Sequence, residues 1–83
     1  RVFIVINQFN PTTKIDYALP RQSHVTLKIF DLLGKEVATL VNGRLAAGRH
    51  QAKWNASNVE SGVYFYRLEA GSFVQVRKLT LVK

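Results

Sequence analysis

Short runs in which apolar and polar residues alternate at period two, separated by turn residues, leave this chain few folds to choose from. Ile15, Tyr17 and Leu19 alternate with Lys14 and Asp16. Val25, Leu27 and Ile29 alternate with Thr26 and Lys28. His50, Ala52 and Trp54 alternate with Arg49, Gln51 and Lys53, and the set Tyr64, Tyr66 and Leu68 leaves Arg67 and Glu69 on the other parity. Successive side chains of a strand point to opposite faces, so each run is a half-buried strand with its apolar face on a core. Turn-type stretches punctuate the runs: Asn10-Pro11, Pro20, Leu33-Gly34-Lys35, Asn42-Gly43, Ala47-Gly48, Asn55 to Ser61, and Ala70-Gly71-Ser72. Short strands at such spacing predict an all-β sandwich or barrel.

Several local expectations follow from the same pattern. Val63 and Phe65 fall on the second face of the Tyr64–Leu68 strand, which predicts a central strand covered on both sides. Val74 and Val76 share one parity while Leu79 and Leu81 share the other, which predicts a β-bulge or a change of partner near Arg77-Lys78. The turn before that strand is tight, and Gly71 supplies the positive φ it needs. Only Leu40 to Ala47 reads as a helical turn, with Gly43 and Gly48 against a long one. Val2 to Ile6 is uncharged and β-prone. It must pair inside the sandwich, pair with another chain, or be covered by a parent protein.

Length and composition then bound the chemistry. Eighty-three residues allow one small domain. Such a chain hides only about 60–65% of the surface its unfolded form exposes, which disfavours a deep enzyme cleft. There is no Cys, hence no disulfide framework, thiolate metal site or cysteine nucleophile. His24 and His50 would need carboxylates to hold zinc, and the chain has 5 Asp and Glu in all. Asp16, Asp31, Glu36, Glu60 and Glu69 are spread over outer faces and loops, as solvated surface charge is. Ser23-His24 are sequence neighbours on a strand and so face opposite ways. Gly62-Val63-Tyr64 lacks the further glycines or the Lys of a phosphate loop. No enzyme, cofactor or metal is expected. The longest apolar stretch, Val2 to Ile6, is far short of the roughly 20 residues of a helical membrane span. The chain begins at Arg1 and contains no Met, so it reads as a processed product or a piece of something longer.

The charge of +7 admits nucleic acid, anionic lipid or anionic polysaccharide as a partner. The cations fall in nearly every segment, however, and many sit opposite apolar strand positions. That is the distribution of outward charge that keeps sheet edges soluble. Tyr64-Phe65-Tyr66-Arg67 interleaves aromatics with charge as stacking platforms do, but lacks the pattern of an RNA-recognition strand. Core packing accounts for Tyr64 and Tyr66 better, and no nucleic-acid partner is expected. Trp54 shares the parity of Ala52 and His50, which favours a core anchor over a sugar-stacking platform. Asn55-Ala56-Ser57 matches the N-glycosylation triplet, which is common by chance.

Three stretches together resemble one family. They are Phe9-Asn10-Pro11-Thr12-Thr13-Lys14-Ile15 with Tyr17-Ala18-Leu19-Pro20, then Val25 through Leu40 with Asp31-Leu32-Leu33-Gly34-Lys35-Glu36 inside it, then Gly62-Val63-Tyr64-Phe65-Tyr66-Arg67-Leu68 through Arg77-Lys78-Leu79-Thr80-Leu81-Val82-Lys83. Ala46 to His50 and Trp54 to Ser57 fit between them. In order and spacing they are similar to the type A C-terminal sorting domain of the type IX (Por) secretion system of Bacteroidetes and related phyla. The resemblance implies an immunoglobulin-like β-sandwich of about seven antiparallel strands. It also implies a non-catalytic signal that follows a fused N-terminal cargo domain. The cargo reaches the periplasm by Sec export, crosses the outer membrane through the type IX translocon, and arrives at the cell surface or the medium. A sortase-like protease then usually removes the label. Carried over by position, recognition falls on Gly62 and Tyr64 of the Gly-x-Tyr element. It also falls on Lys78, Leu79, Leu81, Val82 and Lys83 of the last basic-apolar strand.

The resemblance covers residues 9–83, taken as the sorting domain. Residues 1–8 are an N-terminal strand or linker, since the Pro- and Asn-rich approach common in the family is replaced by a hydrophobic run. Through Val2–Ile6 that run also suggests a homodimer. Two other readings compete. One is a structural immunoglobulin-like module of the flagellar hook-capping kind, similar in Phe30 to Val37 and in Gly62-Val63-Tyr64. The other is an accessory module that binds polysaccharide or nucleic acid.

Overall fold

The computed structural model of the chain describes residues 3–8 and 12–81. Its strands are β1 (Phe3–Gln8), β2 (Thr12–Leu19), β3 (Ser23–Phe30), β4 (Glu36–Leu45), β5 (Gly48–Asn55), β6 (Gly62–Ala70) and β7 (Phe73–Leu81). They form two antiparallel sheets, ordered β1-β2-β5 and β4-β3-β6-β7. This is an immunoglobulin-like sandwich in which the fourth strand has joined β3 rather than β5, so three strands oppose four.

The alternating runs build the core as their spacing requires. Thr13, Ile15, Tyr17 and Leu19 are buried from β2, Val25, Leu27 and Ile29 from β3, Ala52 and Trp54 from β5, and Tyr64, Tyr66, Leu68 and Ala70 from β6. Trp54 and Tyr64 meet edge to face at 5.3 Å and 74° between the two sheets, the arrangement favoured by aromatic quadrupoles. His50 stacks on Tyr17 at 5.7 Å at the margin of that core. Thr13 is the exception among these inward residues: it is wholly buried, and its hydroxyl has no hydrogen-bond partner among the described residues. A buried orphan hydroxyl carries a desolvation cost with nothing against it. Thr13→Val, close in shape and lacking that oxygen, is therefore expected to raise stability by about 1–2 kcal/mol. A urea denaturation midpoint that falls instead would show the hydroxyl to be bonded.

Burial also pushes the phenols of Tyr17 and Tyr66 above the ordinary tyrosine range, with Arg77 drawing Tyr66 partly back. The folded chain thus holds both protons to a higher pH than the unfolded one. Their contribution is complete below about pH 10 and is lost as pH rises through the folded values. The urea midpoint should fall above about pH 10, and Tyr17→Phe combined with Tyr66→Phe should flatten that fall.

Four expectations need correction. The β6–β7 ladder runs from Gly62↔Leu81 to Ala70↔Phe73 without a register shift, so there is no bulge at Arg77-Lys78. The parity break is met instead by leaving Val74 and Val76 on the outer face, 54% and 57% exposed. The bulges lie in the β3–β4 pairing, between Leu27/Lys28 and Ile29/Phe30. Each inserts one residue into β4: Leu40 between the partners of Leu27 and Lys28, and Val37 between those of Ile29 and Phe30. Those insertions let Val37, Ala38, Leu40, Val41 and Leu45 all pack on the core, a spacing that imitates a helix. The helical turn expected over Leu40 to Ala47, and the turn at Asn42-Gly43, are accordingly strand as far as Leu45. Finally, β6 is central but not covered on both sides, since Val63 and Phe65 remain half-exposed on its outer face.

The N-terminal run forms an in-chain strand. β1 pairs with β2 from Phe3↔Ala18 to Gln8↔Thr13 and is an edge of its sheet. Val2, Asn10 and Pro11 lie outside the described residues.

Candidate functional site

Two turns and one sheet edge frame β6 and β7. Gly71 and Ser72 connect the pair as a two-residue hairpin, with Ala70 opposite Phe73. Gly71 has φ 61°, the left-handed value such a hairpin needs at its first central residue. Its N–H also reaches the carbonyl of His24 at 3.3 Å, tying the hairpin to β3. Among the described residues β7 pairs with β6 alone and forms one edge of the four-stranded sheet.

Antiparallel register then brings the two parts of the expected signal together. Gly62 lies opposite Leu81, and Tyr64 opposite Leu79. Leu79 and Leu81 are 3% and 1% exposed, so their side chains are core anchors and only their backbone lines the edge. Lys78 is exposed on the outer face, opposite Phe65. Val82 and Lys83 lie outside the described residues.

Tyr64 has a structural duty. Its hydroxyl donates to the carbonyl of Glu60 at 2.6 Å, four residues back, where the chain crosses from β5 in one sheet to β6 in the other. This is the tyrosine corner of immunoglobulin-like sandwiches. Gly62, two residues earlier, has φ 157°, and a Cβ there would meet no heavy atom within 4 Å. Backbone conformation rather than space asks for glycine at that point. The Gly-x-Tyr element is thus a device for turning the chain into β6 and holding it against Trp54.

The opposite end of β3 supplies the second frame. The carboxylate of Asp31 accepts from the amides of Leu33 and Lys35, both at 2.9 Å, and the backbones of Asp31 and Lys35 pair across the turn. Gly34, at φ 85°, closes this three-residue loop. Leu32 and Leu33 are left 68% and 94% exposed at its tip. Beside it Glu36 accepts from the Thr39 hydroxyl at 2.6 Å and pairs with Lys28 at 3.3 Å; these bonds hold its carboxyl below the usual range. Asp31 and Glu36 are therefore occupied in shaping the hairpin.

Sequence reasoning missed the residues of the outer face between these frames. Phe30, Leu32, Phe65, Arg67 and Val76 line a shallow depression of about 320 Å³, with the Arg67 guanidinium 5.3 Å from the centre of the Phe30 ring. The signal was present in the parity of Val74 and Val76, which marks an apolar outer face rather than a bulge.

Comparison with curated protein sequences finds no match. A family model described as the secretion system C-terminal sorting domain matches residues 7–83, and it begins inside β1 and runs through every strand to the end of the chain. The protein therefore belongs to the secretion system C-terminal sorting domain family, the sorting signal of type IX secretion.

Proposed function

We propose that residues 9–83 are the export label of a larger secreted protein, joined to an N-terminal cargo domain, with β1 as an added strand of the same sandwich. The label carries its cargo from the periplasm through the type IX outer-membrane translocon and is removed at the surface by a sortase-like protease. It performs no chemistry of its own. Recognition lies on the last strand and the two residues after it: Lys78 acts through its charge, Leu79 and Leu81 through their edge backbone, and Val82 and Lys83 extend the same basic-apolar signal. Gly62 and Tyr64 act as positioning residues that hold β6 where β7 can pair.

The observation that carries this reading is the β6–β7 register. It sets the Gly-x-Tyr element directly against the terminal basic-apolar strand and leaves that strand at a sheet edge. An edge strand offers unpaired N–H and C=O groups, the material of recognition by strand addition. The test is a fusion of residues 1–83 behind a reporter in a type IX-competent host. The reporter should reach the surface or the medium with the domain and stay in the periplasm without it. Equal export of both would overturn the proposal.

The β1 edge carries the second suggested contact, a homodimer through the N-terminal run. Sedimentation at increasing protein concentration tests it, and a concentration-independent monomer removes it.

A further inference from the structure

The outer face of the four-stranded sheet is chemically unlike an ordinary solvated face. Cross-strand partners share a face, so the register sets out three rows: Phe30, Phe65 and Lys78; then Lys28, Arg67 and Val76; then Thr26, Glu69 and Val74. Val74 and Val76 stand half-exposed on the strand that has no outer neighbour among the described residues. Proteins protect such edges with charge, and β-branched residues displayed there invite pairing. Beside them lies the depression floored by Phe30 and Phe65, which is concave and of a size to seat one bulky side chain.

Charge narrows the occupant. Strand β7 carries Arg77 and Lys78 and no acid, and both are exposed. Lys28 and Arg67 already have carboxylates at 3.3 and 3.9 Å, in Glu36 and Glu69. Lys78 has no ion-pair partner among the described residues. A strand laid along β7 would set alternate side chains beside Val74, Val76 and Lys78 on the outer face, and beside Gln75 and Arg77 on the other. A second copy of the chain brings another +7 to the contact and suits it poorly. A bilayer would cover the valines but leave the edge N–H and C=O groups of β7 without partners.

We infer that the β7 edge and the outer face beside it form one docking surface for an extended segment of a partner protein. That segment sets bulky apolar residues two positions apart against Val74 and Val76, one of them entering the Phe30–Phe65 socket, followed on the same face by a carboxylate at Lys78, with a second carboxylate on the opposite face at Arg77. The inference rests on the export reading above and names the chemistry of the receptor that reads the label.

The test uses the exported reporter fusion with Val76→Glu, Lys78→Glu and, as a control, Arg44→Glu, an exposed cation at the far end of the same sheet. All three positions are exposed, so melting should stay within about 0.5 kcal/mol of the parent. Export should fall at least tenfold for Val76→Glu and Lys78→Glu and hold for Arg44→Glu. A photocrosslinking amino acid in place of Val76 should, in the type IX-competent host, join to a peptide of net negative charge that carries two apolar residues two positions apart and a carboxylate two positions beyond them.

Parent-level export of both variants, or an equal loss with Arg44→Glu, overturns the inference. So does a crosslink to a basic segment or to lipid. Binding to 3:1 phosphatidylcholine–phosphatidylglycerol vesicles that Val76→Glu abolishes, or a dimer that the same change dissolves, overturns it as well. If the parent fusion itself is not exported, the export reading fails and the crosslinked sequence still decides the surface.

Discussion

Replacing Leu79 and Leu81 together with alanine is expected to remove most of the stability of the domain. Each side chain is almost wholly buried, at 3% and 1% exposed. A buried Leu→Ala change costs about 2–5 kcal/mol through lost transfer energy and the cavity left behind. Two of them approach about 4–10 kcal/mol, less whatever their shared surroundings recover, since they lie two residues apart on one face. A chain of this length has only about 4–12 kcal/mol in total. Urea denaturation followed by the fluorescence of Trp54, itself 4% exposed, would show the midpoint collapse. An unchanged midpoint would mean that the end of β7 does not pack on the core. Trimming the chain from Leu79 onward should abolish the fold together with any recognition, so loss of export after such a deletion follows from unfolding alone. Substitutions at exposed Val76 and Lys78 separate the two.

Tyr66→Ala should be the most damaging single change, at about 3–5 kcal/mol. Tyr66 is wholly buried in the middle of β6, with Ile29 opposite it on β3 and Arg77 opposite it on β7. Phe65, the next residue, faces outward and is half-buried, so Phe65→Ala should cost only roughly 1 kcal/mol. For a domain of this size 1 kcal/mol moves the melting point by about 4–8 °C, which puts the Tyr66→Ala shift at roughly 12 °C or more. Calorimetry on the two variants reads the contrast. Equal shifts, or the reverse order, would mean that the faces of β6 are assigned the wrong way round.

Much of the candidate site was legible before the fold was known. The Gly-x-Tyr element and the final strand stand out in the sequence, and their resemblance to sorting domains is borne out over residues 7–83. What they do was not legible. The sequence marks Tyr64 as part of the signal but does not show that its hydroxyl holds the carbonyl of Glu60. Leu79 and Leu81 stand out as members of the basic-apolar final strand, but that their side chains anchor the core while their backbone lines an edge is seen only in the fold. The parity change in β7 was visible too, but a one-residue insertion and an exposed apolar pair leave the same trace in a linear pattern. The bulges that do exist, at Val37 and Leu40, were disguised because an extra residue turns a period of two into a helix-like spacing.

Sequence by itself determined which side chains face inward on β2, β3, β5 and β6, because period-two alternation is a local consequence of strand geometry and is written within each segment. It also determined the hairpin at Gly71, whose positive φ is a property of one residue. Only the tertiary structure decided that β4 joins β3, that β1 pairs with β2, and that β7 ends as an edge with valines on its open face. Neighbours and edges are set by contacts between segments far apart in the chain. A strand alternates in the same way whether one side of it or both are paired.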